Sequence, residues 1–530
     1  MIHNKTIKVA LFIAAVIIVL RLPAFWTPIL HVDEAQFAGF ANALMDGGIP
    51  YIASLDTKPL GIYWFYEAVF YLFGRNNMIA VHAVTALWVG LTALFCYRIA
   101  RRLYSSRAGF WAALFYAVFT TAYVPKFMGT SIAIVMMLPL TMSIDELLAW
   151  EQTGKRRHIW LSGFLWGLAC LFKYQAGINL IAVGFYLLIF RPLYLDRSLM
   201  RMRIGAFLSY LAGGAIVGAL FALYLKGVGA WDAFVFWSIN GSAAYAVAGA
   251  TQAHFWKALA VRGGTIIASA LLLWALAAAR SARMLNDIFG ASLHRKARCE
   301  EFVVLIWLAF SFIPVCVGGK FFEHYFLQLY PALAILAAGE MMRLEAIKPH
   351  GLAEPKRRWA WALIIAGLLV PSVGYFAARV MADRIYAAVH EENPKEYIPI
   401  ADYIRSHTAE QDRIFVWGFA TPIYLYADRP AASRFLWCDW LTGRIPGSPT
   451  SRDPSFDTTP YITNGSWEIF FEDMKKSRPR YFVDTSPGNH HDYGKYPVSK
   501  YPALKEFLEQ HYVLEASVNG ADIYRSHIFQ

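Results

Sequence analysis

Charge is scarce in this chain. Asp, Glu, Lys and Arg make up 16% of its 530 residues, while 57% are hydrophobic. Soluble domains carry roughly 25% charged residues, so there is too little polar surface here to face water all round. The natural solvent for the surplus apolar surface is lipid. The net charge of +12 does not point to nucleic acid, because Arg and Lys gather in short connectors between apolar runs. Cysteine is also sparse, at five residues. Cys96, Cys170 and Cys316 fall inside apolar runs, Cys299 lies in a basic connector and Cys438 stands alone. No CxxC or Cys/His spacing occurs, which argues against a disulfide framework and a zinc site. A signal-peptide cleavage site is missing as well. The apolar run Ile7–Leu20 is followed by Arg21-Leu22-Pro23 rather than by a small-x-small pattern, so it reads as a retained anchor.

Long apolar runs, by contrast, are plentiful. A membrane helix needs about 20 mostly apolar residues. Candidates are Ile7–Trp26, Met78–Tyr97, Ala108–Val124, Ile132–Trp150, Ile159–Leu171, Gly177–Phe190, Ile204–Leu225, Gly264–Ala279, Phe302–Val317, Phe326–Gly339 and Trp359–Val380. About eleven spans are therefore expected. The connectors Arg98–Arg107, Lys155–His158, Arg191–Arg203, Arg280–Arg298 and Arg343–Arg358 are all basic. With the N-terminus in the cytoplasm they all fall on the cytoplasmic side. The opposite connectors are then Thr27–Asn77, a short piece around Lys126, Lys226–Arg262 and Gly318–Tyr325, and an odd span count puts the C-terminus outside. The expected location is the plasma (inner) membrane.

Composition changes after Val380. Residues 381–530 are richer in charge, Pro and turn residues and hold no spanning run. Strand-like runs at Arg413–Trp417, Tyr481–Val483 and Val513–Val518 alternate with helix-like stretches at Lys395–His407 and Ala503–Gln510. Thr442–Gly465, rich in Pro, Ser and Thr, reads as a long loop. The expected organisation is thus a membrane domain, residues 1–380, and a small outer α/β domain, residues 381–530.

Three outer segments hold residue types suited to chemistry. The first outer loop opens with His31-Val32-Asp33-Glu34-Ala35, and Gln36–Met45 continues as an amphipathic helix able to lie in the membrane interface. Farther on come Asp56-Thr57-Lys58-Pro59-Leu60-Gly61 and the aromatic run Ile62–Tyr66. The acidic pair can be plain surface charge; beside interfacial helices, acids and a Lys also suit a reaction between a water-soluble group and a lipid-borne phosphate. The second segment is Gly318-Gly319-Lys320-Phe321-Phe322-Glu323-His324-Tyr325-Phe326. Lys320 and His324 could bind an anionic head group, with the glycines allowing close backbone approach, or Lys320 could simply snorkel to the membrane edge. The third is Lys173 in Phe172-Lys173-Tyr174-Gln175, either a phosphate contact or a lysine at an outer helix end.

In this order and sidedness the segments resemble the GT-C glycosyltransferases. The similarity is to the bacterial branch related to protein O-mannosyltransferases and to the lipid A aminoarabinose and galacturonosyl transferases. Asp412–Gly418 and Ala432–Trp437 look like that branch's C-terminal segment. The resemblance implies a helical membrane bundle with an outer α/β domain and an inverting transfer from a polyprenyl-phosphate sugar to a glycolipid, lipid A or protein acceptor. It implies Asp33 as general base, or as a metal holder, with Glu34 beside it. Lys58, Lys320, His324 and Lys173 become candidates for the donor phosphate, with Asp56, Glu323 and Tyr325 in support. One departure stands out. Relatives carry a second acid at the outer start of the fourth span, where this chain has Met128-Gly129-Thr130-Ser131-Ile132. Asp145 and Glu146 lie at the other end of that span. A divalent metal is therefore doubtful. A flippase for a lipid-linked sugar and an inactive donor-binding relative are the rival readings. The flippase accounts less well for acids confined to one face and for an outer domain.

Overall fold

The computed structural model describes residues 2–122, 127–191, 199–242, 252–289, 299–346, 359, 362–371, 374, 394–446 and 453–527. The connector at Lys126 and the basic stretches 192–198, 290–298 and 347–358 lie outside the described residues.

Six helices are long and apolar enough to cross a bilayer: Ile7–Phe25, Met78–Leu103, Ile132–Thr153, Met200–Gly227, Phe302–Gly319 and Glu323–Ala346. A seventh results if Phe255–Ser269 and Leu271–Asp287, bent by 97°, count as one broken span. The chain is a multi-pass membrane protein. The other expected spans form shorter helices. Ser106–Phe119 has 14 residues and Arg156–Cys170 has 15, so each is only about 21–23 Å long at 1.5 Å per residue, against a hydrocarbon core of about 30 Å. Ile178–Gly184 is prolonged by a π-helical turn, Phe185–Phe190. Of Trp359–Val380, the apolar helix described is Ala362–Pro371.

The chain folds into two compact units. One comprises residues 1–28, 79–224 and 256–386; the other comprises residues 29–78, 225–255 and 387–530. In the first unit the spans differ sharply in surroundings. Ile132–Thr153 and Glu323–Ala346 are 89% buried and form the centre, whereas Met200–Gly227 is 28% buried and turns Leu208, Leu220 and Leu223 outward. Outward leucines on so apolar a helix are what lipid solvation permits. That helix meets Arg156–Cys170 through glycines. A Cβ on Gly163 would sit 1.8 Å from the Tyr210 carbonyl oxygen, and one on Gly213 would sit 2.2 Å from that of Trp160. Only residues without side chains let the backbones approach this closely.

Acids at the helix ends of this unit are answered by arginines. Asp145 binds Arg98 at 2.8 Å and Arg102 at 2.9 Å. Glu151 binds Arg191 and Arg203, Glu340 binds Arg283 and Arg343, and Glu345 binds Arg107. The Glu146 carboxylate lies 2.6 Å from His158.

In the second unit the segment Ile29–Met78 and the C-terminal residues fold together. The sheet order is β1 (Ile414–Trp417), β2 (Tyr481–Asp484), β4 (Ala521–Ser526), β3 (Tyr512–Val518), with β1 and β2 parallel and the other pairs antiparallel. β3 and β4 are joined by Asn519 and Gly520, both at positive φ (47° and 80°), the backbone a type I′ hairpin requires. The helix Pro394–His407 supplies Tyr397, Ile400 and Ile404 to one face of this sheet, against Ile414, Val416, Val483 and Ile523. The helices Val32–Met45 and Gly61–Phe73 pack together through Phe37 and Phe40, which meet Tyr63 and Tyr66 edge-on or stacked. Val32–Met45 also packs on the short helix Pro422–Ala427. Its polar side is covered too: Glu34 and Gln36 are as buried as Phe37.

Candidate functional site

The residues singled out from the sequence divide between the two units, and each group has its own geometry. In the unit holding Ile29–Met78, His31 is extended and the helix Val32–Met45 starts directly after it, placing Asp33 and Glu34 in its first turn. Carboxylates there are favoured by the positive end of the helix. The two acids differ. Glu34 is fully buried, and its Oε2 accepts the Leu30 N–H at 2.7 Å, closing the turn ahead of the helix. The Asp33 side chain is 29% exposed, and the His31 imidazole lies beside it, with Nδ1 3.8 Å from Oδ2. Glu34 is thus occupied with the backbone while Asp33 is open to an incoming group.

The Asp56–Lys58 turn is clamped from several sides. Asp56 is 1% exposed and accepts from Lys58 Nζ at 2.8 and 3.0 Å and from the Thr57 N–H at 2.6 Å. The Lys58 carbonyl accepts from the Tyr51 hydroxyl at 2.8 Å and Ser238 at 3.1 Å, and the Thr57 carbonyl accepts from Ser242 at 2.6 Å. The Lys58 ammonium lies 5.5 Å from the Phe37 ring and 6.0 Å from that of Trp437. An ammonium has three donors. Asp56 and the rings hold this one in place, and the Lys58 side chain keeps 28% of its surface exposed for an anion.

The other group lies in the membrane unit. Gly318 (φ 77°) and Gly319 (φ 62°) take the left-handed backbone open to residues without a Cβ, and Phe321 follows at φ 46°. The sharp turn ends the helix Phe302–Cys316 and leads into the 3₁₀ segment Glu323–Leu329. Lys320 is 2% exposed, which overturns snorkelling: its side chain is inside the protein. Its carbonyl accepts from Arg262 at 2.5 Å. The Arg262 guanidinium lies 5.0 Å from the Phe322 ring, and the His324 ring stacks on Phe322 at 5.9 Å and meets Tyr325 edge-on at 4.8 Å. Lys173, in the extended junction between the helix Arg156–Cys170 and the 3₁₀ turn Tyr174–Gly177, sits 4.2 Å above Tyr325. Lys173, Arg262, His324 and Tyr325 thus gather about the Gly318–Phe322 turn, and Glu323 begins the 3₁₀ turn beside them. Cations fixed on aromatic faces and around an irregular backbone are suited to an anionic group.

Arg262 was not singled out from the sequence. Two signals mark it in hindsight. It is an ionisable residue inside the apolar stretch Phe255–Ser269, where charge is costly and usually functional, and it stands in a π-helical turn, Leu259–Gly263.

At the start of the fourth span the position lacking an acid is tightly built. The buried Arg21 donates to the carbonyls of Met128 at 2.9 Å and Phe127 at 3.1 Å, Thr130 pairs with Thr85 at 2.8 Å, and Ser131 caps the helix through the Ile134 N–H. Ile132 itself is buried. Among the described residues no three His, Cys, Asp or Glu side chains come together as a metal-binding group. Asp33 with the backbone-engaged Glu34 is a poor donor set for a divalent ion, and no step is assigned to one.

Residues 57–224 match the family model described as dolichyl-phosphate-mannose-protein mannosyltransferase. A sequence search among curated proteins finds no match. Among solved structures the fold is similar to ArnT from Cupriavidus metallidurans bound to undecaprenyl phosphate, at 15% identity over 98% of each chain with a TM-score of 0.60. The apo state of that protein matches with a TM-score of 0.58 at 16% identity, again over 98% of each chain. The archaeal oligosaccharyltransferase AglB from Archaeoglobus fulgidus, in complex with an inhibitory peptide and a dolichol-phosphate, matches over 99% of this chain and 74% of its own, at 14% identity with a TM-score of 0.54. The resemblance read from the motifs therefore holds: the fold is that of the GT-C glycosyltransferases, and the expectation of a glycosyltransferase is borne out.

Proposed function

We propose that this GT-C glycosyltransferase moves a sugar from a polyprenyl-phosphate donor to an acceptor hydroxyl outside the cytoplasm, with inversion and with Asp33 as base. The acceptor oxygen attacks the anomeric carbon, its proton passes to an Asp33 carboxylate oxygen, and the bond from the anomeric carbon to the phosphate oxygen breaks. The electron pair leaves on the lipid phosphate. General-base assistance of this kind typically contributes 10²–10⁴ in rate. Lys58, Lys320, His324 and Lys173 are assigned to the phosphate, where fixed cations stabilise the charge that develops. Asp56 orients Lys58, and Glu323 and Tyr325 support the second group.

The observation that carries this reading is the split between the two adjacent acids: Glu34 is engaged by the Leu30 N–H, while Asp33 is partly open and has no arginine on it among the described residues. Undecaprenyl phosphate bound to ArnT and dolichol-phosphate bound to AglB, two proteins of similar fold, favour a lipid-linked donor. The acceptor is assigned by chemical class, a hydroxyl on a glycolipid, lipid A or a protein. By membrane side, residues 1–380 form the spanning catalytic part and 381–530 the outer domain, in the inner membrane with the N-terminus cytoplasmic. The one-sided basic connectors support this orientation. A reporter at Gln530 active only in the cytoplasm would overturn it.

The missing acid at Ile132 favours one second reading, a relative that binds donor without transferring. A transfer assay with purified protein, a polyprenyl-phosphate sugar and native acceptor extracts separates the two. Transfer lost in Asp33→Asn with donor still bound supports the enzyme. Donor binding by the wild type with no transfer to any extract supports the inactive relative.

A further inference from the structure

The C-terminal residues contain a cavity that the transfer reaction does not use. It has a volume of about 510 Å³ and lies where β2, β3 and β4 turn one face toward the helix Pro502–His511. Roughly 300–1,000 Å³ is the usual size of a small-ligand pocket. Tyr512 and Tyr524 line it with Leu508, and Asp484, Ser486 and Glu509 give it polar groups. Asp484 is the last residue of β2, at the carboxyl end of a strand paired in parallel with β1, where α/β sheets commonly bind ligands.

We infer that this cavity is a binding site for a short, uncharged or amino-bearing saccharide. The chemistry of the lining narrows the ligand. Asp484 is 4% exposed and accepts the Ser486 N–H at 2.9 Å, yet among the described residues no Lys, Arg or His pairs with it. Directly opposite it on β4 stands a second acid, Asp522. Two acids facing across a strand pair disfavour one another, and a ligand that donates hydrogen bonds relieves this. Burial, reinforced by Asp522, raises the Asp484 carboxyl to about 6. An anionic ligand is disfavoured, because the one cation in the lining, Lys505, is exposed and already 3.7 Å from Glu509. A purely apolar ligand would leave the buried Asp484 carboxyl with Ser486 as its hydrogen-bond donor and nothing from the cavity side. A sugar ring meets both demands: its hydroxyls donate to Asp484 and Ser486, and its C–H face lies on tyrosine rings.

The test is saturation-transfer-difference NMR on the full-length protein held in amphipol, since maltoside detergents are themselves sugars. The probes are chitobiose, mannobiose and glucosamine, backed by a printed array of defined oligosaccharides. At least one saccharide is expected to bind, with affinity reduced tenfold or more in Asp484→Asn and in Tyr524→Ala, and unchanged in Asp33→Asn. Silence from all probes and the array, or binding that both pocket variants retain, overturns the inference. Undecaprenyl-phosphate binding and sugar transfer are followed on the same samples. Transfer that persists while the saccharide response is absent removes the pocket and leaves the transferase reading intact. A saccharide response without transfer does the reverse.

Discussion

The acids of the membrane unit and Asp33, in the other unit, are treated in opposite ways. Asp145, Glu151, Glu340 and Glu345 are each held by one or two arginines, and their side chains are less than one-tenth exposed. Among the described residues Asp33 has no arginine on it, the His31 imidazole lies 3.8 Å away, and the side chain remains partly open. Removing one partner from a buried ion pair strands the other in a medium that cannot solvate it. The paired acids are therefore structural, fastening helix ends to one another. The same chemistry left without an arginine is available to accept a proton. From the sequence Asp145 is set aside because it lies at the other end of its span from the expected second acid; its two arginines give a separate, physical reason.

The sharpest way to break this contrast is to neutralise each kind of acid. Asp33→Asn is expected to lower transfer by roughly 10²–10⁴ with thermal stability unchanged. Glu151→Gln should do the opposite. It strands Arg191 and Arg203, which are 8% and 4% exposed, so stability falls by about 3–5 kcal/mol while the properly folded fraction still transfers. Differential scanning fluorimetry beside the transfer assay reads both, and a Glu151→Gln protein of full stability would undo the structural assignment.

The lysines refine the comparison at a smaller scale. Lys58→Ala and Lys320→Ala should each weaken donor binding by about 1.5–3 kcal/mol, the worth of a hydrogen bond to a charged group. Equal donor affinity in both variants would take the phosphate role from them. Asp56→Asn should produce a lesser loss, because it frees the Lys58 ammonium without removing it.

An effect on stability alone concerns a buried acid outside the membrane unit, Asp484, raised to about 6. Its folded value lies above the unfolded one. Its contribution to stability is therefore complete below about pH 4 and is lost as the pH rises through 6. Asp484→Asn removes this loss, so at pH 8 the variant should exceed the wild type by up to about 2–3 kcal/mol, and the gap should close at pH 4. Identical pH profiles would show that the carboxyl is solvated.

Much of the architecture was legible because it depends on local pattern. Lys395–His407 and Ala503–Gln510 match the helices Pro394–His407 and Pro502–His511, and three of the four strands were read within a residue or so at each end. β4 was missed, although Asn519-Gly520 is a strong hairpin signal, because Ala521–Ser526 mixes polar and apolar residues without clean alternation. The candidate site was legible as a set of residues but not as an arrangement. Nothing in the chain's order tells that Trp437 stands 6.0 Å from Lys58, or that Val32–Met45 is covered by Pro422–Ala427. The helix was expected to keep a polar face for the interface, yet Glu34 and Gln36 are buried, and the helix start is met by a residue almost 400 positions away in sequence, Thr421, whose hydroxyl donates to the Val32 carbonyl at 3.4 Å. Expected span lengths were less secure than span positions, since apolar runs broken by Gly, Pro or a π turn give the same hydropathy as a full crossing.

The most direct test of the central claim is single-turnover sugar transfer by purified Asp33→Asn, with donor affinity measured on the same preparation. The account predicts wild-type affinity for a polyprenyl-phosphate sugar and a transfer rate lower by at least about 10². Transfer at the wild-type rate, with Asp33 neutral and the protein folded, would contradict it.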